Sequence, residues 1–150
     1  MKKFLFILLF FINSCGYQPI YLNKNLENYE FQEIIQKGDR DINKKIINTL
    51  SIKKKSGEKN LGKLFIFSTI QTNGTSKNSK GQIESFRTVV NVNLEVKDSA
   101  GNSRKNKNFE KQISYNNKEN KFELIEYQNL ITKNIIDDII GDIVIFLNTK

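Results

Sequence analysis

An alternation of apolar and polar side chains over most of residues 86–97 constrains the fold more than any other feature of the sequence. Every second position is apolar or is a threonine, and these positions share one face of a β-strand. That set is Phe86, Thr88, Val90, Val92, Leu94 and Val96. The other face carries Arg87, Asn91, Asn93, Glu95 and Lys97. Such a two-faced strand is typical of an antiparallel sheet that packs on a core with one face and leaves the other face wet.

Neighbouring segments predict three further strands. Residues 98–102 (Asp-Ser-Ala-Gly-Asn) form a hairpin turn, and residues 105–115 alternate again on the returning strand. The apolar run 64–70 predicts a central strand covered on both faces, followed by a polar loop at 72–81. Apolar residues at 29, 31 and 35 predict the first strand.

Two segments have helical periodicity. Ile42, Ile46, Ile47 and Leu50 share one face of a helix from about Asp41 to Ser51, with Asp39 or Asp41 as its cap. The long C-terminal stripe comprises Ile131, Ile135, Ile136, Ile139, Ile140, Ile143, Val144 and Leu147, extended backwards by Phe122, Ile125 and Tyr127. The order β-α-β-β-β-α predicts an α+β fold over residues 29–150, a two-layer sandwich in which two helices cover one face of a four-stranded sheet.

The N-terminus has the layout of an export signal. Lys2 and Lys3 precede an unbroken apolar run at residues 4–12, which is too short to span a bilayer. The run ends in Ile-Asn-Ser followed by Cys15, which resembles a bacterial lipoprotein box. We therefore predict a signal peptide at 1–14 and a lipidated N-terminus and tether at 15–28, with S-diacylglycerol and N-acyl groups such as palmitate on Cys15. The competing interpretation is a buried apolar segment with a chance cysteine.

Composition argues against catalysis and against most cofactors. The chain has no histidine and one cysteine, so the usual general base and the usual zinc ligands are missing. A hydrolase without histidine would need a carboxylate pair, such as Asp137 with Asp138, or a Ser-Lys dyad. The helical positions of Asp137 and Asp138 place these two carboxylates on the polar face, opposite the isoleucine stripe. We expect no catalytic residues, no metal and no cofactor apart from the lipid. The net charge of +8 suggests acidic partners, although an AT-rich coding bias would give the same lysine content, and export argues against nucleic acid.

The chain resembles the lipopolysaccharide-assembly lipoprotein LptE. The resemblance rests on Cys-Gly-Tyr-Gln-Pro-Ile-Tyr at 15–21, similar to alphaproteobacterial members, on Asp39-Arg40 before the first helix, and on Ser-Tyr-Asn at 114–116. It implies a non-enzymatic lipoprotein on the periplasmic face of the outer membrane. Such a protein plugs and helps assemble the β-barrel LptD, binds lipopolysaccharide and assists its insertion into the outer leaflet. Gly16 after the cysteine argues against retention at the inner membrane.

Candidate binding residues follow from the ligand that the resemblance implies. Lys77 and Lys80 in the first hairpin and Lys111 on the last strand are predicted to converge at one end of the sheet, with Arg87 nearby, and to contact lipopolysaccharide phosphates. The competing interpretation is that these are scattered solubilising charges. The alternative function is a barrel-independent envelope lipoprotein that recruits another transport complex through its sheet edge.

Overall fold

The computed structural model describes residues 29–149, so Cys15, the rest of residues 1–28 and Lys150 lie outside its described part. The elements are, in order, β1 (Glu30–Phe31), β2 (Glu33–Gly38), α1 (Arg40–Thr49), β3 (Lys53–Lys54), β4 (Lys63–Lys77), β5 (Ile83–Lys97), β6 (Ser103–Asn116) and α2 (Lys121–Asn148). Neither helix in this part of the chain combines the length and the apolar character needed to cross a membrane. The predicted α+β class is confirmed.

Four strands form one mixed sheet in the order β2-β4-β5-β6. β2 and β4 run parallel, whereas β4, β5 and β6 form an antiparallel meander. The predicted first strand is divided in two, since β1 leaves the sheet and pairs in parallel with β3. β3 arises within a lysine-rich stretch whose composition predicts a loop.

Both helices pack on one face of the sheet and enclose a single cluster of buried side chains. Val90, Val92 and Leu94 of β5 are fully buried beneath α2, which confirms the alternation of that strand. From α1, Ile42 and Ile46 join the same cluster, as does the isoleucine stripe of α2. Burial of this stripe stabilises α2 although β-branched residues are individually poor helix formers.

The N-terminus of α1 is held by Asp39, one of the two predicted caps. Its carboxylate oxygen Oδ1 accepts hydrogen bonds from the backbone N–H groups of Asp41 and Ile42, both at 3.0 Å. This satisfies two of the donors that a helix end leaves unpaired. The helix begins at Arg40 and ends at Thr49, within two residues of the predicted bounds.

Two predictions for β4 are wrong. The strand is central, but only one face is covered: Leu64 and Ile66 are buried beneath the helices, whereas Phe67 on the other face is 50% exposed. The predicted loop at 72–81 is mostly strand, because β4 continues to Lys77 and pairs with β5 along its length. The polar composition of this segment is typical of a loop, but backbone hydrogen bonds to β5 hold it in a strand.

The start of α2 also differs from the prediction. Asn120 caps the helix by accepting from the N–H of Phe122 at 2.9 Å. Phe122 and Ile125 do not extend the buried stripe, since they are 67% and 56% exposed. The third predicted residue, Tyr127, does pack on the core and is confirmed. Leu124 packs there as well, because its spacing from Tyr127 and Ile131 continues the stripe.

Candidate functional site

The predicted basic residues do not form one cluster. Lys77 lies opposite Ile83 at the far end of the β4–β5 hairpin, and Lys111 lies opposite Val90. The seven-residue separation along β5 corresponds to about 23 Å. The expected convergence with Lys111 is therefore wrong, because Lys111 comes well before the end of β6.

Arg87 and Lys111 also lie on opposite faces of the sheet. On the face away from the helices, Arg87 donates from Nε to the hydroxyl of Ser114 at 3.2 Å. On the helix side, the Nζ of Lys111 lies 2.9 Å from a carboxylate oxygen of Asp142 in α2. Of the four candidates, only Lys77 and Lys80 share the hairpin tip. Whether any of them contacts lipopolysaccharide stays a prediction.

An open groove of about 1080 Å³ lies beside this tip, between the β4–β5 hairpin, the β6–α2 loop and the start of α2. Ser76 and Asn78, the sequence neighbours of Lys77, line it on one side, and Lys118 and Lys121 line it on the other. The remaining lining residues are Gln82, Ile83, Glu84, Ser85, Phe86, Asn116, Asn117, Glu119 and Leu124. We call this set the tip groove.

Lys118 and Lys121 are candidate binding residues that the sequence pattern did not indicate. Both lysines are exposed, and the ammonium of Lys118 lies 4.9 Å from the centre of the Tyr127 ring. Exposed Phe122 and Ile125 follow them on the first turns of α2. The only signal in the sequence is a Lys/Glu-rich segment where the LptE resemblance predicts small residues.

Hydrogen bonds hold the walls of the tip groove together. The side-chain amide of Asn117 donates to the carbonyl oxygen of Ile83 at 2.7 Å, and its backbone N–H donates to the carbonyl of Glu84 at 2.7 Å. At the hairpin tip, Asn78 Oδ1 accepts from the backbone N–H groups of Lys80 and Gln82, both at 3.0 Å. The groove is thus built by backbone and side-chain bonds between segments that are distant in sequence. Chemically it offers lysine cations beside apolar side chains, with carboxylates interspersed.

The face of the sheet away from the helices, which we call the open face, is mainly polar. Its strands are joined by side-chain hydrogen bonds such as Asn91 Nδ2 to Glu110 Oε2 at 2.8 Å and Asn93 Nδ2 to Asn106 Oδ1 at 3.3 Å. Its apolar residues are Phe67, Phe65 and, opposite them or further along the sheet, Ile35 and Val89. The ring centre of Phe65 lies 4.6 Å from the ammonium of Lys97. The predicted polar face of β5 is confirmed.

Two described groups have clearly shifted pKa values, and both lie away from the tip groove. A hydrogen bond with Glu30 raises the pKa of the Lys55 amine above its ordinary range. The backbone N–H of Asn102 is the main cause that holds the pKa of Asp98 below its ordinary range. Within residues 29–149, no three potential metal ligands lie together.

Known structures share this arrangement. A rare lipoprotein B from Shewanella oneidensis aligns with a TM-score of 0.58 at 9% sequence identity, covering 75% of this chain and 90% of that one. The chain has the fold of bacterial lipoprotein B. A minor lipoprotein from Acinetobacter baumannii aligns with a TM-score of 0.55 at 14% sequence identity, covering 76% of this chain and 88% of that one.

A third structure, lipoprotein B from Nitrosomonas europaea, also has a TM-score of 0.55, at 12% identity over 85% of this chain and 88% of its own. These identities show a common fold. No protein-family model and no curated protein matches the sequence significantly. The fold agrees with the LptE-type resemblance.

Proposed function

We propose that this chain is an outer-membrane lipoprotein, anchored through acyl groups on Cys15, that plugs the LptD β-barrel and assists assembly of lipopolysaccharide into the outer leaflet. The observation that carries the proposal is that the chain has a lipoprotein B fold and that its N-terminal sequence resembles a lipoprotein signal. The role is structural and ligand-binding rather than catalytic. Its location is the periplasmic face of the outer membrane.

The open face supports the plug role on physical grounds. The lumen of a large outer-membrane barrel is polar and wet, so a domain inside it needs a polar surface. Arg87, Asn91 and Asn93 present hydrogen-bonding groups there, and their cross-strand bonds keep the side chains ordered. Phe67, which is 50% exposed, gives the same surface an apolar contact point.

The tip groove supports lipopolysaccharide binding. Lipid A phosphates attract lysine ammonium groups, and its acyl chains need apolar surface. Lys118 and Lys121 supply positive charge at the groove, and Ile83 and Leu124 supply apolar surface. Lys77 and Lys80 add positive charge on the adjoining hairpin.

Affinity capture of the lipidated chain from its own envelope tests the proposal. We expect one β-barrel of LptD size to copurify at a 1:1 ratio after detergent extraction. Capture of the Cys15→Ser variant should fail to recover the barrel from the membrane fraction. A stoichiometric partner other than a barrel would instead support the barrel-independent adaptor role.

A further inference from the structure

The first two strands of the main sheet differ greatly in length. β4 has 15 residues and β2 has 6, so β2 pairs only with the segment from Lys63 to Ser68. At Gly38, where φ is +82°, the chain turns away from the sheet into α1. From Thr69 onward, no strand within residues 29–149 pairs with β4 on this side.

The backbone geometry of β4 shows which groups point towards the vacant side. The carbonyl oxygens of Gly62 and Ser68 accept bonds from Gln32 and Asp39, at 2.8 and 2.9 Å, on the β2 side. Along a strand, the N–H and C=O groups of alternate residues point to the same side. Ile70 and Thr72 therefore direct their N–H and C=O groups outward, where a further strand would receive them.

This edge lacks the protection that the opposite edge of the sheet has. The outer strand β6 carries Arg104, Lys105, Lys107 and Lys111. Charged side chains of this kind are a common means of preventing edge-to-edge pairing. The segment of β4 from Thr69 to Asn73, which precedes the irregular register at Gly74 and Ser76, has no charged residue and no proline. Charged side chains thus protect the β6 edge against pairing, whereas the β4 edge remains able to pair with another strand.

A groove of about 380 Å³ adjoins the unguarded edge on the helix side. Ile42, Ile70 and Ile136 provide its apolar lining, and Lys45 and Lys133 are among its polar lining residues. Successive side chains of a strand point to opposite faces. A strand added along the edge would therefore place every second side chain towards this groove.

We propose that the edge of β4 from Thr69 to Asn73 binds an extended, uncharged segment of a partner protein as an added β-strand, with apolar side chains in the groove over Ile70. Strand addition of this kind gains affinity from main-chain hydrogen bonds and specificity from side-chain pockets. A second copy of this chain fits less well, because each copy is strongly basic: the formal charge of +8 falls only by the two charges of Lys2 and Lys3 when residues 1–14 are removed. The inference does not depend on the barrel partnership.

The test uses the purified full chain and a defined probe, a blocked octapeptide of alternating valine and threonine. Amide hydrogen exchange is followed by NMR with and without the peptide. We expect the peptide to slow exchange at Ile70 and Thr72 by at least about tenfold, because these amides gain partners. Exchange at Thr69 and Gln71 should change little, since their amides face β5 already.

The chain offers a matched pair of variants. Gln71 and Gln112 are both exposed, and both lie opposite Val89, one on each side of it. Gln71→Lys places a guarding charge on the β4 edge and should weaken peptide binding by about fivefold or more. Gln112→Lys places the same charge on β6 and should leave binding within about twofold. Circular dichroism checks that both variants keep the fold.

Three results would overturn the inference. One is unchanged exchange at Ile70 and Thr72 at saturating peptide, and another is an equal loss of binding in the two lysine variants. The third is slow exchange at these two amides in the peptide-free protein. Slow exchange without peptide would show that the edge is already covered. A molecular mass equal to that of a dimer would assign the cover to a second copy, and a monomer mass would assign it to another part of the same chain.

Discussion

The Ser68 hydroxyl of β4 donates a hydrogen bond to Oδ1 of Asn43 in α1 at 2.8 Å. Both side chains are buried in the core, away from water. The amide nitrogen of Asn43 in turn donates to the carbonyl oxygen of Lys37 at 2.8 Å, at the end of β2. This network therefore joins two strands and a helix at the point where the chain leaves the sheet.

Ser68→Ala should destabilise the protein through this network. The substitution leaves the buried Oδ1 of Asn43 without its donor, which costs about 1–3 kcal/mol of unfolding free energy. Urea denaturation followed by circular dichroism measures the change. As a control, Ser114→Ala removes an exposed serine and should change the unfolding free energy by no more than about 0.5 kcal/mol. Equal effects of the two variants would contradict the role of burial.

Gly38→Ala should be more damaging than the same change in the hairpin tip. Gly38 has a φ of +82°, and an added Cβ would lie 1.9 Å from the carbonyl oxygen of Ser68, which is backbone and cannot move aside freely. Gly81 has nearly the same φ, +79°, but nothing within 4 Å of its added Cβ. Both variants bear the cost of left-handed backbone, about 1–2 kcal/mol. The difference between their denaturation midpoints therefore isolates the steric clash, and we expect Gly38→Ala to be the less stable variant.

Asp98 should make the stability of the β5–β6 turn dependent on pH. Its carboxylate accepts from the backbone N–H of Asn102 at 2.9 Å and from Nε of Arg104 at 2.9 Å, and its pKa in the folded protein is lowered. A lowered folded pKa means that the stabilisation is complete above the unfolded value of about 3.9 and is lost as pH falls through the folded value.

Thermal unfolding of the Asp98→Asn variant tests this dependence. The variant removes the titration while keeping an oxygen that can accept from Asn102. Its deficit in melting temperature relative to the unsubstituted protein should be present at pH 6 and should shrink towards pH 2. An NMR titration of the Asp98 carboxyl gives an independent check, and a pKa at or above the ordinary value would refute the prediction.

The sequence predicted best the elements whose periodicity directly reflects burial. The alternation of β5 and the isoleucine stripe of α2 each place one set of apolar residues against the same core, so the pattern and the structure agree. The Asp98–Asn102 turn is similarly local, because Asp98 bonds to Asn102 within it. In each case the chemistry that determines the conformation lies within a few residues along the chain.

The missed features depend on partners that are distant in sequence. The outer half of β4 is rich in Thr, Asn and Ser, and it forms a strand because β5 supplies backbone bonds and because hydroxyl pairs such as Thr72 with Thr88, at 2.8 Å, join the strands. The tip groove likewise needs Asn117 to reach Ile83, 34 residues away. That contact helps to place Lys118 and Lys121 beside the hairpin.

Cys15 provides a direct test of the anchor. It is the only cysteine in the chain, so Cys15→Ser should abolish incorporation of labelled palmitate and leave the uncleaved precursor. Metabolic labelling in a diderm bacterium followed by immunoprecipitation measures both effects. Undiminished labelling would show that the lipid, if present, is attached elsewhere.

Reversing the charge of Lys118 and Lys121 should weaken binding of lipopolysaccharide at the tip groove. Each lysine near an anionic head group contributes about 1 kcal/mol, so the Lys118→Glu/Lys121→Glu variant should lose at least about tenfold in affinity. Lys53→Glu/Lys54→Glu is a matched control, since these lysines are also exposed, lie in β3 rather than at the groove and undergo the same change in net charge. A pull-down with immobilised lipopolysaccharide measures binding, and circular dichroism confirms folding. If both double variants lose affinity equally, the attraction comes from the total charge of the protein rather than from the groove.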